Sequence, residues 1–350
     1  MSTVRIAGRV IGDNYEPFII AEAGINHNGD ITLAKRMILA AIEAGADAVK
    51  FQTFSAEEFI QDKTTMYTYT SQGKTVTEPM IDMFKRNEFS HEEWRELAGF
   101  CKKEGILFLS TPGNISDLDF LLTLDLAAIK VGSDDFVNGS LIREYGKKGK
   151  PLLLSCGMAD EEEIRNTLKA AGVQEGKEVC LLLCTSEYPT PPADVNIRKL
   201  VSIQKKYPQV VPGLSDHTQG STAAVMAVSL GARIFEKHFT MDHDLPGPDH
   251  WFSEEPVGLK VWVREIRTAF EMLGTENLEP TDAEQEMRYL CRRSITASRD
   301  IKEGEIFSDG NLYMRRPGSG LSGMEWDNIV GRQAARCVKA GEQLTKDDVL

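Results

Sequence analysis

The 350-residue chain has no apolar run near the ~20 residues that a membrane-spanning helix needs. Its opening stretch, MSTVRIAGRVIGDNYEP, lacks the apolar core of a secretory signal. Cysteine is sparse: Cys101, Cys156, Cys180, Cys184, Cys291 and Cys337 are scattered and form no CxxC pair. Those spacings predict reduced thiols in a cytoplasmic protein rather than a disulfide framework. Positive charge is in deficit, with 40 Lys and Arg against 53 Asp and Glu and a net charge of −13. A broad nucleic-acid or anionic-membrane surface needs clustered cations, so neither partner is expected. An anionic ligand would have to be held by a few local positive groups. The turn after the first predicted strand, AGINHNGD, also lacks the GxGxxG spacing of a dinucleotide site, which weakens the case for a doubly wound sheet.

What the chain does contain is a regular alternation. Short apolar runs rich in β-branched residues predict strands at 17–23, 46–52, 106–110, 127–131, 151–155, 178–184, 209–214 and 232–237. Amphipathic stretches lie between them. Residues 31–44 place Leu33, Met37, Ala40, Ala41 and Ala44 on one face, and 92–103 repeat the pattern with Trp94, Leu97, Ala98 and Cys101. Asp160 is placed to cap a helix with an acidic first turn. Eight strand–helix units over about 250 residues are the rhythm of a (β/α)8 TIM barrel. The 54–89 segment is long for a strand–helix connection and carries Tyr67 and Tyr69, as a binding loop or a surface insertion would. The alternation stops near Gly274. Residues 275–290 are polar and acidic with Pro280 and predict a linker, and 291–350 predict a small β-rich domain.

In such barrels the reactive side chains come from the C-terminal ends of the strands. The predicted ends carry Glu22; Lys50 and Gln52; Ser110 and Thr111; Lys130 and Ser133; Ser155; Thr185, Ser186 and Tyr188; Ser215 and His217; Lys237 and His238. One polar strand end is unremarkable; eight in a circuit predict a polar mouth. Lys50, Lys130 and the hydroxyls suit a ligand bearing phosphate and carboxylate. His217 and His238 end neighbouring strands and suit a divalent metal completed by water or substrate oxygen. His27, in the first loop, is a further candidate for the mouth, and Asp249 in LPGPDH is placed to reach a substrate hydroxyl. Cys156 and Cys184 show no base partner and are expected to be packing residues.

FIIAEAGINHNG, AVKFQT, FLSTP, IKVGS, LLSCGM, LLCTSEYPTP, GLSDHT, EKHFT, GPDH and NLYMRRPG follow one another in the order seen in the sialic acid synthases. The chain resembles that family, which includes N-acetylneuraminate, legionaminic and pseudaminic acid synthases, over essentially its whole length. The C-terminal part resembles the family's antifreeze-like (SAF) domain. The resemblance implies condensation of phosphoenolpyruvate with an N-acetylated amino-sugar aldehyde, giving a nine-carbon 3-deoxy-2-ulosonic acid and phosphate with Mn2+ or Mg2+. It implies His217 and His238 as metal ligands. Lys50, Thr111, Lys130, Ser133, Ser155, Ser186 and Ser215 would hold phosphoenolpyruvate. Gln52, Tyr188, Asp249 and Arg316 would face the sugar, with Arg316 reaching a partner barrel in a domain-swapped homodimer. Glu22 is the candidate proton mover. Asp135 is a second catalytic candidate, although the neuraminate enzymes usually carry glutamate there. Ser186 likewise replaces a common asparagine and offers one donor instead of two. Two other readings fit the residues: a barrel aldolase with Lys130 as a Schiff-base nucleophile, and a non-catalytic sugar-binding protein.

Overall fold

The computed structural model describes residues 2–350. Eight parallel strands form one sheet, and we number them in chain order: β1 (Phe18–Gly24), β2 (Ala48–Thr53), β3 (Leu107–Pro112), β4 (Ile129–Val131), β5 (Leu152–Ser155), β6 (Val179–Cys184), β7 (Val211–Asp216) and β8 (Ile234–His238). Each pairs with its sequence neighbours except β3 and β4, which end the hydrogen-bonded order, and β8 returns to β1 in register from Ile234 opposite Phe18 to His238 opposite Glu22. β3 and β4 lie against each other and bring the sheet round into a (β/α)8 barrel.

The strands run nearly all-buried because side chains on one face fill the barrel and those on the other meet the helices. The helix Ile31–Ala44 begins where the Asp30 side chain accepts the amides of Thr32 at 2.7 Å and Leu33 at 3.3 Å. His91–Glu104 and Glu161–Ala170 each open with a full capping box, from Ser90 with Glu93 and Asp160 with Glu163. Their apolar faces join one continuous barrel core.

Three features depart from the sequence expectation. An antiparallel hairpin, Thr3–Ile6 with Arg9–Gly12, precedes the barrel and buries Val4, Ile6 and Ile11 in the main core. It lies at the N-terminal ends of the strands, where Arg9 pairs with Asp47 and Arg233 Nε donates to Asp13 O at 2.8 Å. The long connection after β2 is not an open loop. It contains a second hairpin, Met66–Ser71 with Lys74–Pro79, turning at Gln72 and Gly73, both with positive φ. Within the predicted linker, Asp282–Cys291 is helical, started by the capping box of Thr281 and Glu284.

The chain divides into two compact units, Met1–Gly274 and Thr275–Leu350. The second unit has its own core, with Ile295, Ile301, Phe307, Val338 and Leu344 among its members. Its hairpin Ser294–Ala297 with Leu312–Arg315 leads directly into Arg316, an exposed residue. Among the described residues no helix is long and apolar enough to cross a membrane.

Candidate active site

A cavity of about 760 Å³ opens at the C-terminal ends of the barrel strands. Its lining contains every barrel residue to which the family resemblance assigns a role: Glu22, Lys50, Gln52, Thr111, Lys130, Ser133, Asp135, Ser155, Ser186, Tyr188, Ser215, His217, His238 and Asp249. Residues at i and i+2 share a strand face, and this rule decides which strand-end residues enter. In β8, Glu236 and His238 point inward. Lys237 between them points out, lying 3.2 Å from Asp216 Oδ2 and over the Trp262 ring. In β3, Thr111 lines the cavity, whereas Ser110 is buried against Thr53 Oγ1 at 2.8 Å and Phe51 O at 3.2 Å. Ser110 and Lys237 are therefore structural.

The floor is a buried charge cluster. Lys50 Nζ lies 2.8 Å from Glu22 Oε2 and 3.8 Å from Glu236 Oε2, and donates to Thr111 Oγ1 at 2.9 Å. Lys130 Nζ donates to Ser155 Oγ at 2.8 Å and Val131 O at 2.9 Å, with Glu236 Oε1 at 3.7 Å. Ser215 Oγ donates to the same Glu236 oxygen at 3.2 Å. Burial is the dominant influence on all four ionisable groups. It raises the Glu22 carboxyl to about 7 against the attraction of Lys50, and it lowers Lys130. For Lys50 the two carboxylates outweigh burial and raise the ammonium, and for Glu236 the two lysines outweigh it and hold the carboxyl down. Desolvating each such charge costs several kcal/mol, so a fold optimised for stability alone gains little here.

A second group forms beside it. Gly157 N–H donates to Ser133 Oγ at 3.0 Å. A Cβ on Gly157 would stand 2.5 Å from Ser186 Oγ and 2.6 Å from Ser133 Oγ. Only glycine lets the backbone approach this closely, and the result is a cluster of hydroxyls and an amide suited to anionic oxygens.

The two imidazoles stand together, with ring centroids 5.5 Å apart. His217 Nδ1 faces Thr185 O at 2.7 Å, so that nitrogen carries the proton and Nε2 is left as the ligating lone pair. Burial holds His238 well below the ordinary histidine range, in the neutral form that binds metals, and its buried Nδ1 has no hydrogen-bond partner. No third His, Cys, Asp or Glu among the described residues completes a closed cation site. The donor set thus fits an open site of two protein ligands, with water or substrate oxygen in the remaining positions. Tyr188 packs on His217 at 4.1 Å between centroids. Asp249 Oδ2 lies 4.0 Å from His238 Nδ1, and burial raises the Asp249 carboxyl to about 6. Asn26 ties the two loops that carry these groups, donating from Nδ2 to Phe239 O at 2.9 Å and to Ser253 Oγ at 3.0 Å. Ser253 Oγ in turn donates to Asp249 O at 2.5 Å.

Other candidates stand differently. His27 does not reach the mouth. It is fully buried, stacked on Phe89 at 4.2 Å, and burial lowers it to about 3. Cys184 does have an imidazole beside it, with Sγ 3.9 Å from His217 Nδ1, whereas Cys156 donates to Leu182 O at 3.3 Å. Asp135 lines the cavity, half-buried and raised by that burial, with Asp134 next to it. Gln52 Nε2 donates to Glu22 Oε1 at 3.4 Å. Glu236 is the functional candidate the sequence reading passed over.

A parallel barrel with a charged, hydroxyl-rich cavity at its strand ends defines a barrel enzyme. The sequence pattern of the NeuB family matches residues 37–277, and that of the SAF domain matches residues 292–350. The chain is similar to the N,N'-diacetyllegionaminic acid synthase of Legionella pneumophila, with 38% identity over 337 residues, 95% of this chain and 94% of that protein. It is 34% identical to the human N-acetylneuraminate-9-phosphate synthase, covering 97% of this chain and 94% of that one. The crystal structure of a sialic acid synthetase from Leptospira borgpetersenii, in complex with citrate, superposes with a TM-score of 0.73 at 33% identity, over 82% of this chain and 95% of that chain. The chain belongs to the NeuB family and carries a SAF domain at its C-terminal end.

Proposed function

We propose that the protein condenses phosphoenolpyruvate with an N-acetylated amino-sugar aldehyde, forming a nine-carbon 3-deoxy-2-ulosonic acid and inorganic phosphate. One observation carries the reading: a buried lysine pair, a hydroxyl cradle and two adjacent imidazoles line a single cavity. A pure sugar binder needs no such concentration of buried cations. The family relationship supports the same reaction class.

Lys50 and Lys130, with Thr111, Ser155 and Ser215, are the groups to hold the phosphate and carboxylate of phosphoenolpyruvate. Ser133, Ser186 and the Gly157 amide close the cradle around an anionic oxygen. Tyr188, Gln52 and Asp249 face the space left for the sugar. A divalent ion, Mn2+ or Mg2+, held by His217 and His238 would polarise the aldehyde oxygen as a Lewis acid. Holding both substrates in one cavity replaces a bimolecular encounter with an oriented one. The enol carbon C3 bonds to the aldehyde carbon, whose oxygen gains the electron pair. Glu22, raised to about 7, keeps a protonated fraction near neutrality and can deliver a proton to that oxygen. Water adds at C2, the C2–O bond to phosphate breaks, and a proton from the water restores Glu22 or passes to Asp135.

In the same reading the protein works as a homodimer in which Arg316 reaches the partner's barrel and its planar fork reads the sugar's amide oxygen. The reducing state of a cytoplasm suits its free cysteines.

The lowered Lys130 also favours a second reading, a Schiff-base aldolase using pyruvate. Phosphate release separates the two. The synthase must release one phosphate per molecule of condensed product, only with phosphoenolpyruvate, an amino-sugar and a divalent metal all present. A borohydride-trapped pyruvate adduct on Lys130, with no phosphate release, would establish the aldolase instead.

A further inference from the structure

The two imidazole-bearing strands differ from the rest of the barrel on their outer side. A residue one step from a cavity-lining side chain points away from the cavity, toward the helices. In β1, β2, β4, β5 and β6 those places hold Ala21, Phe51, Val131, Leu154 and Leu183, all buried and apolar. In β3 the place is taken by Ser110. Among the described residues only β7 and β8 put charges there: Asp216, immediately before His217, and Lys237, immediately before His238. The two stand opposite each other in the β7–β8 register, both buried, with Lys237 Nζ 3.2 Å from Asp216 Oδ2.

The other bonds of this pair reach round both imidazoles. Asp216 Oδ1 accepts from the Thr218 amide at 2.9 Å and from the Thr218 hydroxyl at 2.8 Å, so the carboxylate spans the backbone that carries His217. Lys237 Nζ also donates to Thr218 O and stands 3.9 Å from Glu254 Oε1. The Glu254 amide donates to His238 O at 2.9 Å, and Glu254 Oε1 accepts from the Gly220 amide at 3.1 Å. That closes a circuit from β8 back to the loop after β7. Trp262 Nε1, from the helix Pro256–Met272, donates to Asp216 Oδ2 at 3.0 Å and anchors the pair to the outer layer.

A buried ion pair is a poor stabiliser, since apolar side chains of similar volume pack as well or better. What a fully bonded pair supplies is a fixed geometry, because directional hydrogen bonds rigidify what they join. Two imidazoles that must meet one ion need that, as a binding constellation has to be held to within roughly 0.5 Å. We propose that Asp216 and Lys237, with Trp262 and Glu254, form a clamp behind the cavity that sets the spacing of His217 and His238 and thereby the affinity for the divalent ion. They are positioning residues and touch neither ion nor substrate. This rests on the metal reading above.

The test is calorimetric titration of the metal-free full chain with MnCl2, beside its thermal midpoint. Lys237→Met leaves Asp216 a lone buried charge and should lower the midpoint. The double variant Asp216→Asn with Lys237→Met has no lone charge, and the asparagine oxygen can still accept from Thr218, so its midpoint should recover much of that loss. Mn2+ affinity should not recover with it: both variants should bind on the order of 10- to 100-fold more weakly than wild type. Trp262→Phe keeps a ring in the core and removes one donor to Asp216. It should fold and bind Mn2+ roughly 2- to 10-fold more weakly, the scale of one hydrogen bond. Affinity that returns with stability in the double variant would make the pair a packing feature and overturn the inference, as would wild-type affinity in Trp262→Phe. Should the double variant not fold, Trp262→Phe decides alone. No Mn2+ binding by wild type, or wild-type affinity in both His217→Ala and His238→Ala, would bring down the metal reading itself, and the clamp with it.

Discussion

Lys50 holds its ammonium 2.8 Å from Glu22 Oε2, and both side chains are cut off from solvent. The pair joins β1 to β2, where Glu22 stands opposite Lys50 in the register and a bulge follows before Gly24. That irregularity lets Glu22 and Gln52 approach each other on the cavity side, and a Cβ on Gly24 would lie within 3.6 Å of Glu22, Gln52 and His238. Burial raises the Glu22 carboxyl to about 7 against the pull of Lys50, so near neutrality it is shared between its acid and anionic forms.

The first prediction follows from that sign. If protonated Glu22 supplies the proton, kcat falls as pH rises through about 7, because the acid form is lost. Glu22→Gln should lower kcat by roughly 10²- to 10⁴-fold and erase that limb of the profile. A wild-type kcat that instead rises through pH 7 would make Glu22 a base.

Glu236 sits between two buried lysines, and its loss leaves Lys130 without a carboxylate partner while Lys50 keeps Glu22. Glu236→Ala should destabilise the barrel by about 3–5 kcal/mol, measured as the shift in thermal midpoint. Phosphoenolpyruvate, itself an anion, should raise the midpoint of the variant more than that of wild type. Equal ligand-induced shifts would place the anion elsewhere.

Much of this site was legible from residue order alone. The polar ends of alternating apolar runs located Lys50, Lys130, Ser155, Ser215, His217 and His238, because a barrel converts strand ends into one ring. Glu236 is hidden in the sequence because its strand finishes in EKH, where Lys237 and His238 are the last polar residues. The period of two carries the missing signal: once His238 faces inward, Glu236 must too, and Lys237 must not. The Met66–Pro79 hairpin is hidden for a different reason. Its strands are polar and largely exposed, so they have no apolar face to announce them, and its Gln72–Gly73 turn is not a common turn pair. The Asp282–Cys291 helix was masked by Pro280 and the acidic run, although Thr281 and Glu284 already stood at capping-box spacing.

The cradle predicts a selective defect. Gly157→Ala places a methyl about 2.5 Å from Ser186 Oγ and 2.6 Å from Ser133 Oγ, so one or both hydroxyls must move. The KM for phosphoenolpyruvate should rise by at least ~10-fold, a loss on the scale of one good hydrogen bond, with the sugar KM much less affected. Steady-state kinetics with each substrate varied in turn distinguishes this from general damage, which would move both.

Metal dependence should map onto the two imidazoles. Dialysis against a chelator should abolish wild-type turnover and Mn2+ should restore it. His217→Ala and His238→Ala should bind Mn2+ at least ~10-fold more weakly by calorimetry while keeping the wild-type circular dichroism. Unchanged Mn2+ affinity in both variants would remove the imidazole pair from the metal site.

Arg316 tests the dimer. Arg316→Ala should raise the sugar KM more than the phosphoenolpyruvate KM. Since the defects of Arg316→Ala and His238→Ala would lie in different subunits' contributions to a site, refolding the two variants together should recover activity that neither has alone. Wild-type kinetics for Arg316→Ala, or no recovery on mixing, would confine each site to one chain.

The central claim is that phosphoenolpyruvate joins the sugar through C3 and loses phosphate by breaking its C2–O bond within this cavity. Phosphoenolpyruvate labelled with oxygen-18 in the bridging oxygen tests this directly. The account predicts that the label leaves in the inorganic phosphate, mole for mole with a nine-carbon product and only when metal and amino-sugar are both present. Label retained in the organic product, or pyruvate released without condensation, would contradict it.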